Sequence, residues 1–313
     1  MSRAFVFPGQ GAQAIGMGKD LSDSYAEARA VFEEVDDALG EKLSALIWEG
    51  DIAELTLTAN AQPALMATSL AAMAALKAEG VGIDAASYVA GHSLGEYSAL
   101  AAAGALSIAD TARLLRTRGK AMQEAVPVGV GAMAALLGLT FEQATEAAKK
   151  AGQHQVCAAA NDNDPAQVVV SGHKEAVERA VEIAKEMGAK RAVMLPVSAP
   201  FHCSLMEPAA RVMADALSHV DVERPAVPLV ANVLAHDVSD PTTIRSLLVQ
   251  QVTGSVRWRE SVQWMGAHGV TEIWEIGAGK ALSGMVRRIN KEIATRAVGS
   301  ADDVKTAAES LNA

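Results

Sequence analysis

The sequence predicts an α/β fold, a mostly parallel sheet covered by helices and interrupted by a small α+β unit. Three observations carry this expectation. Short apolar runs bounded by turn residues alternate with stretches of helical periodicity at both ends of the chain, the order that feeds a parallel sheet. Between Pro127 and Pro196 the order becomes strand-helix-strand-strand-helix-strand, the ferredoxin-like arrangement. A chain of 313 residues is also long for one compact core, so a second, smaller unit is expected. The boundaries that follow are a large α/β domain from residues 1–126 and 198–313 and a small inserted one over 127–197.

Each element has its local reason. Ala4-Phe5-Val6-Phe7 is a short buried strand stopped by Pro8-Gly9. Helical periodicity then dominates to about residue 80, with a break at Thr56-Leu57-Thr58. A second strand over 87–91 leads at once into an alanine-rich helix over 94–103, and Ser107 with Asp110 forms a capping-box pattern opening a helix to about 124. Within the small unit, the pattern predicts strands over 132–137, 155–160, 167–171 and 191–195, with helices over 141–151 and 174–187. The two middle strands flank an Asn/Asp/Pro turn. Beyond it come a helix over 206–217, a strand over 228–232, helices from about 242 and over 261–268, and a strand over 271–276 followed by a glycine-rich turn and a helix. There is no internal repeat or low-complexity tract.

Composition narrows the class. Half the residues are hydrophobic and a fifth are charged, the balance of an ordered globular chain. Aromatics are only 4%, so the core must come from aliphatics and closely packed alanine-rich helices. The net charge of −10 argues against a general nucleic-acid binder, which needs a basic face. Cys157 and Cys203 are too few for a disulfide framework and lack metal-ligand spacing. The first residues run straight into a strand without a signal-like apolar stretch, and the most apolar helical segment, 64–76, is too short to span a bilayer. The expectation is a cytoplasmic protein with neither membrane nor nucleic acid as partner.

The strongest chemical signal is Gly91-His92-Ser93-Leu94-Gly95, a G-x-S-x-G pattern placed between a predicted strand and a predicted helix. A sharp turn there needs small neighbours and projects the serine oxygen above the sheet edge. The helix start behind it offers unpaired N–H groups, that of Leu94 among them, to a developing oxyanion. The competing reading is a helix-capping serine between two turn glycines.

A serine nucleophile needs a base. His92 is adjacent, but neighbouring side chains on a tight turn point apart. His154, His173, His219, His236 and His268 fall on polar helices or loops. His202 lies in Ser198-Ala199-Pro200-Phe201-His202, where the chain re-enters the large domain, and it is either this base or a structural histidine. Gly9-Gln10-Gly11-Ala12-Gln13-Ala14 matches a loose dinucleotide fingerprint, but the acidic residues that should follow fall inside a helical stretch. Gly277-Ala278-Gly279-Lys280 resembles the end of a phosphate loop but lacks the flanking residues. Both read better as turns that bring backbone N–H groups to a ligand.

Taken together, the chain resembles the malonyl-CoA:acyl carrier protein transacylases and the related acyltransferase domains of fatty-acid and polyketide synthases. The resemblance rests on Phe7 to Gln13, Gly91 to Ala99, Arg118 to Gln123, Ala199 to His202, Gln251 to Trp258 and Glu275 to Gly279, in that order. It implies a hydrolase-like core with the inserted ferredoxin-like unit, and it covers nearly the whole chain. It further implies Ser93 as nucleophile, His202 as general base, and the backbone N–H groups of Gln10 and Leu94 as oxyanion hole. Arg118 would pair with the malonyl carboxylate, and the Gln251 main-chain carbonyl would orient the histidine. Asn161 is preferred over Asn163 as the pocket asparagine. The stretch after Gln251 departs from the family, with Thr253-Gly254-Ser255 where a proline is expected. The implied substrates are malonyl-CoA and the phosphopantetheine arm of acyl carrier protein, with no metal, no cofactor, and a monomeric enzyme.

Two other readings stay open on the residues. A serine hydrolase would use an acid between Ser93 and His202, and Asp110, Asp162 and Asp164 are available in that order. A silent assembly subunit would need neither residue. Arg118 discriminates if it is buried, whereas on spacing it resembles the helix-surface Arg113 and Arg116. An acyltransferase of different acyl preference is a further variant. Lys190-Arg191 and Arg287-Arg288 with Lys291 are basic clusters of the kind an acidic carrier would meet.

Overall fold

The computed structural model describes residues 2–197 and 199–312; Ser198, at the expected return to the large domain, lies outside the described residues. Ten strands form two sheets: β1 (Ser2–Phe7), β2 (Tyr88–Gly91), β3 (Gly131–Leu137), β4 (Cys157–Asp164), β5 (Gln167–His173), β6 (Arg191–Met194), β7 (Leu229–Val230), β8 (Asp237–Val238), β9 (Val270–Ile276) and β10 (Ala294–Val298).

The larger sheet runs β10-β9-β1-β2-β7-β8, parallel except for the short β8 at its edge. A parallel sheet is covered on both faces, so its strands are apolar throughout. In β1, Phe5 and Phe7 enter one apolar cluster while Ala4 and Val6 enter another on the opposite face. The helix Thr58–Ala78 is buried almost all round and fills the first cluster between the helices Ala26–Leu39 and Ile108–Glu124. No described helix is long and apolar enough to cross a membrane.

The smaller sheet runs β4-β5-β3-β6, antiparallel throughout, with the helices Phe141–Gly152 and Lys174–Glu186 packed on it around their own core. It is joined to the large domain along β4. The Asp162 N–H donates to the Val256 carbonyl and the Val256 N–H to the Ala160 carbonyl, each at 2.9 Å. The buried carboxylates of Asp162 and Asp164 also pair with Arg259 and Arg288 of the large domain.

Two expectations are corrected. Residues 161–164 form no Asn/Asp turn. They continue β4, and only Pro165-Ala166 turns. Asp162, Asn163 and Asp164 are satisfied by distant partners, so polarity there did not signal a loop. The strand expected over 228–232 pairs only at Leu229 and Val230. The last strand, β10, and the helix Ala301–Asn312 went unread.

Candidate active site

Parallel sheets bind ligands beyond the carboxyl ends of their strands. Here the ends of β1 and β2 carry Pro8-Gly9-Gln10 and the Ser93 turn, side by side because Phe7 pairs with Gly91. Ser93 has φ 54°, in the left-handed region that a non-glycine residue enters only when its surroundings impose it. The imposing groups are visible. The Ser93 N–H donates to Asn232 Oδ1 at 2.8 Å, and Asn232 Nδ2 donates to the Gly91 carbonyl at 2.6 Å. Gln251 Nε2 donates to the Ser93 carbonyl at 2.9 Å. A side chain on Gly91 would overlap the Gly95 carbonyl, and one on Gly95 the Phe7 carbonyl, so the turn closes only with glycine at both.

His202, also at positive φ (59°), brings Nε2 to 2.8 Å from Ser93 Oγ. Its Nδ1 lies 2.9 Å from the main-chain oxygen of Gln251. A carbonyl only accepts, so Nδ1 carries the proton and Nε2 is left to accept from the serine hydroxyl. Burial, helped by the nearby Arg118 charge and opposed by the Gln251 carbonyl, lowers the imidazole to about 3. The ring is therefore neutral and ready as a base. Among the described residues no acid shares it: Asp110 pairs with Arg113, Asp162 with Arg259 and Asp164 with Arg288.

Arg118 is 1% exposed, unlike Arg113 on the same helix. Its Nη1 donates to Gln62 Oε1 at 2.7 Å, and its Nη2 to Gln251 Oε1 at 2.8 Å and to Ser93 Oγ at 3.1 Å. All three acceptors are neutral, and among the described residues no carboxylate forms an ion pair with it. Burial pulls its pKa below the usual range, with Tyr97 and Glu96 acting the other way. Arg116 departs from the expected free surface residue, since it binds Asn60, the Ala59 carbonyl and Glu41.

These groups line a cavity of about 440 Å³ between the two units, together with Gln10, Leu94, Asn161 and Asn163. Neither the Gln10 nor the Leu94 N–H donates to a described backbone or side-chain acceptor, and Thr58 Oγ1 holds the Gln10 side chain at 2.7 Å. Asn163 meets His92 Nε2 at 2.9 Å, which turns His92 away from Ser93; Asn161 makes no such bond and faces the cavity. Cys203 is buried against the Pro200 carbonyl, and burial raises its thiol, so it is inert.

Sequence reasoning missed Gln62, Asn232 and Glu96. Gln62 left a readable trace as a polar residue in an otherwise apolar helix. Asn232 left none, because its role depends on a neighbour 139 residues away.

The acyl transferase domain model matches residues 4–308. The malonyl CoA-acyl carrier protein transacylase of Bacillus subtilis (strain 168) is 47% identical over 98% of this chain and 96% of that protein. The crystal structure of acyl-carrier-protein-S-malonyltransferase from Bartonella henselae superposes with a TM-score of 0.98, at 56% identity and complete coverage of both chains. A malonyl-transacylase solved in complex with its type II polyketide-synthase acyl-carrier protein superposes with a TM-score of 0.96, at 42% identity, covering 99% of this chain and 100% of that one. With a strand-turn-helix serine, a carbonyl-oriented histidine and likeness over the full length, the chain belongs to the acyl transferase domain family, among its malonyl-CoA:acyl carrier protein transacylases.

Proposed function

We propose that the protein transfers the malonyl group from malonyl-CoA to the phosphopantetheine thiol of acyl carrier protein in fatty-acid synthesis, through an ester on Ser93. The observation that carries the reading is Arg118, a buried guanidinium without a carboxylate partner, 3.1 Å from Ser93 Oγ. A buried cation is costly unless an anion meets it, and the distal carboxylate of a malonyl ester on Ser93 would do so.

His202 Nε2 takes the hydroxyl proton as Ser93 Oγ attacks the thioester carbon. The oxyanion sits between the N–H groups of Gln10 and Leu94, and the Gln251 carbonyl stabilises the imidazolium. Coenzyme A leaves as its thiol, taking the proton back from His202. The carrier thiol then gives a proton to His202, attacks the malonyl ester and releases Ser93. Atoms and charges balance without a metal or redox partner. All the groups named come from one chain, so the site needs no second copy, as a monomer requires, and the use of coenzyme A thioesters supports a cytoplasmic site of action. Asn161, free toward the cavity, is placed to touch the acyl chain or pantetheine.

A hydrolase that delivers the ester to water is the second reading, and the main-chain partner of His202 in place of an acid counts against it. The test is mass spectrometry of the protein mixed with malonyl-CoA. A malonyl adduct is expected on Ser93, absent in Ser93→Ala and cleared by added carrier protein. Lack of an adduct in a folded protein would overturn the proposal, and equally rapid clearance by water alone would favour the hydrolase.

A further inference from the structure

Glu96, the second residue of the helix Gly95–Ala102, is 1% exposed and lies beneath the Ser93 turn. Its Oε2 accepts from Gln251 Nε2 at 2.6 Å and, weakly, from the Asn232 N–H at 3.4 Å. Its Oε1 has no partner, and among the described residues Glu96 forms neither a hydrogen bond nor an ion pair with Arg118. Nothing in the transfer reaction uses it.

The Gln251 amide explains why it is there. An amide has one accepting and one donating end, and Gln251 is clamped at both. Its Nε2 faces three acceptors: Glu96 Oε2, the Ser93 carbonyl and Asn232 Oδ1. Its Oε1 faces Arg118 Nη2. Were the amide reversed, an oxygen would confront three acceptors and an NH₂ group would confront the guanidinium. Glu96 Oε2 is the closest of the three acceptors, at 2.6 Å, so it does most to hold the observed orientation. Arg118 is thereby aimed by two neutral oxygens, those of Gln62 and Gln251, while the nearest acidic group stays one residue removed. Direct pairing of Glu96 with Arg118 would neutralise the cation and compete with a substrate carboxylate.

We infer that Glu96 is a positioning residue for acyl selectivity: it locks the Gln251 amide so that Arg118 is held in place yet left free to bind the carboxylate of the acyl group. The inference rests on the reading of Arg118 given above.

The test measures kcat/KM for malonyl-CoA and acetyl-CoA on wild type, Glu96→Ala, Glu96→Asp and Glu96→Gln, each also combined with Arg118→Ala. Loss of the acceptor should lower the malonyl-to-acetyl ratio about tenfold in Glu96→Ala, mainly through the malonyl KM. Glu96→Asp, whose carboxylate stops one methylene short, should lower it less, and it serves as the deciding variant if Glu96→Ala fails to fold. Glu96→Gln keeps an oxygen where the amide needs one and should restore the ratio to within about threefold of wild type. In the Arg118→Ala background none of the three should change the ratio further, since the effect passes through Arg118. Equal losses for both thioesters would show a merely structural role and overturn the inference. If Arg118→Ala itself leaves the ratio unchanged, the reading of Arg118 fails instead, so the two failures are distinguishable.

Discussion

Replacing Arg118 by alanine should convert a malonyl-selective site into one that prefers acetyl groups. The magnitude follows from the burial. A carboxylate and a guanidinium roughly 4 Å apart attract by about 4 kcal/mol at an effective dielectric near 20. That corresponds to about a thousandfold in kcat/KM, inside the range of about 2–5 kcal/mol found when one partner of a buried charge pair is removed. Because the guanidinium is 1% exposed, added salt should hardly change this value, whereas an exposed pair would be screened. Acetyl transfer should hold or rise, since acetyl leaves the wild-type cation without a partner. Lysine at this position keeps the charge but loses the planar fork and should fall between. The alanine variant also leaves the Gln62 and Gln251 amide oxygens unpaired, so its fold must be checked by thermal melting. The assay is kcat/KM for both thioesters at two salt concentrations. An unchanged malonyl-to-acetyl ratio in a folded variant would refute the reasoning and move selectivity elsewhere.

Three further outcomes are expected. His202 lies at about 3 in the folded chain against an ordinary 6.5, so its share of stability is complete above 6.5 and is lost as pH falls toward 3. Glu96, raised to about 7 from 4.5, contributes oppositely, its share being lost as pH rises through 7. The two act in opposite directions, and urea titration should show His202→Gln gaining about 2 kcal/mol relative to wild type between pH 7.5 and pH 5, where no relative change would contradict the buried neutral imidazole. Asn232→Ala should slow single-turnover acylation about tenfold without altering the malonyl-to-acetyl ratio, because Asn232 holds the Ser93 turn and not the acyl group; a shifted ratio would place it in the acyl pocket. Reversing the exposed Lys190 and Arg191 to glutamate should weaken transfer to an acidic carrier at low salt while leaving acylation by malonyl-CoA intact, and equal effects on both steps would remove that patch as a docking surface.

What the sequence determined by itself was local. The alternation of apolar runs and helical periodicity specified a parallel core and an inserted β-α-β-β-α-β unit, because those periods depend on residues a few positions apart. Gly91-His92-Ser93-Leu94-Gly95 was legible as a sharp turn for the same reason, its glycines being demanded by neighbours within the turn and by the adjacent Phe7 carbonyl. The tertiary structure alone decided everything that joins distant segments. His202 reaches Ser93 across 109 residues, and the Gln251 amide reaches the Ser93 carbonyl across 158. Arg118 shares an amphipathic helix with Arg113, and spacing could not say that one is enclosed and the other solvated. Packing of Gln62 and Gln251 around the guanidinium decides that. The polar run at 161–164 read as a turn because its partners, Arg259 and Arg288, lie 97 and 124 residues away. A polar side chain can be buried wherever a distant group satisfies it, and only the folded chain shows where those groups meet.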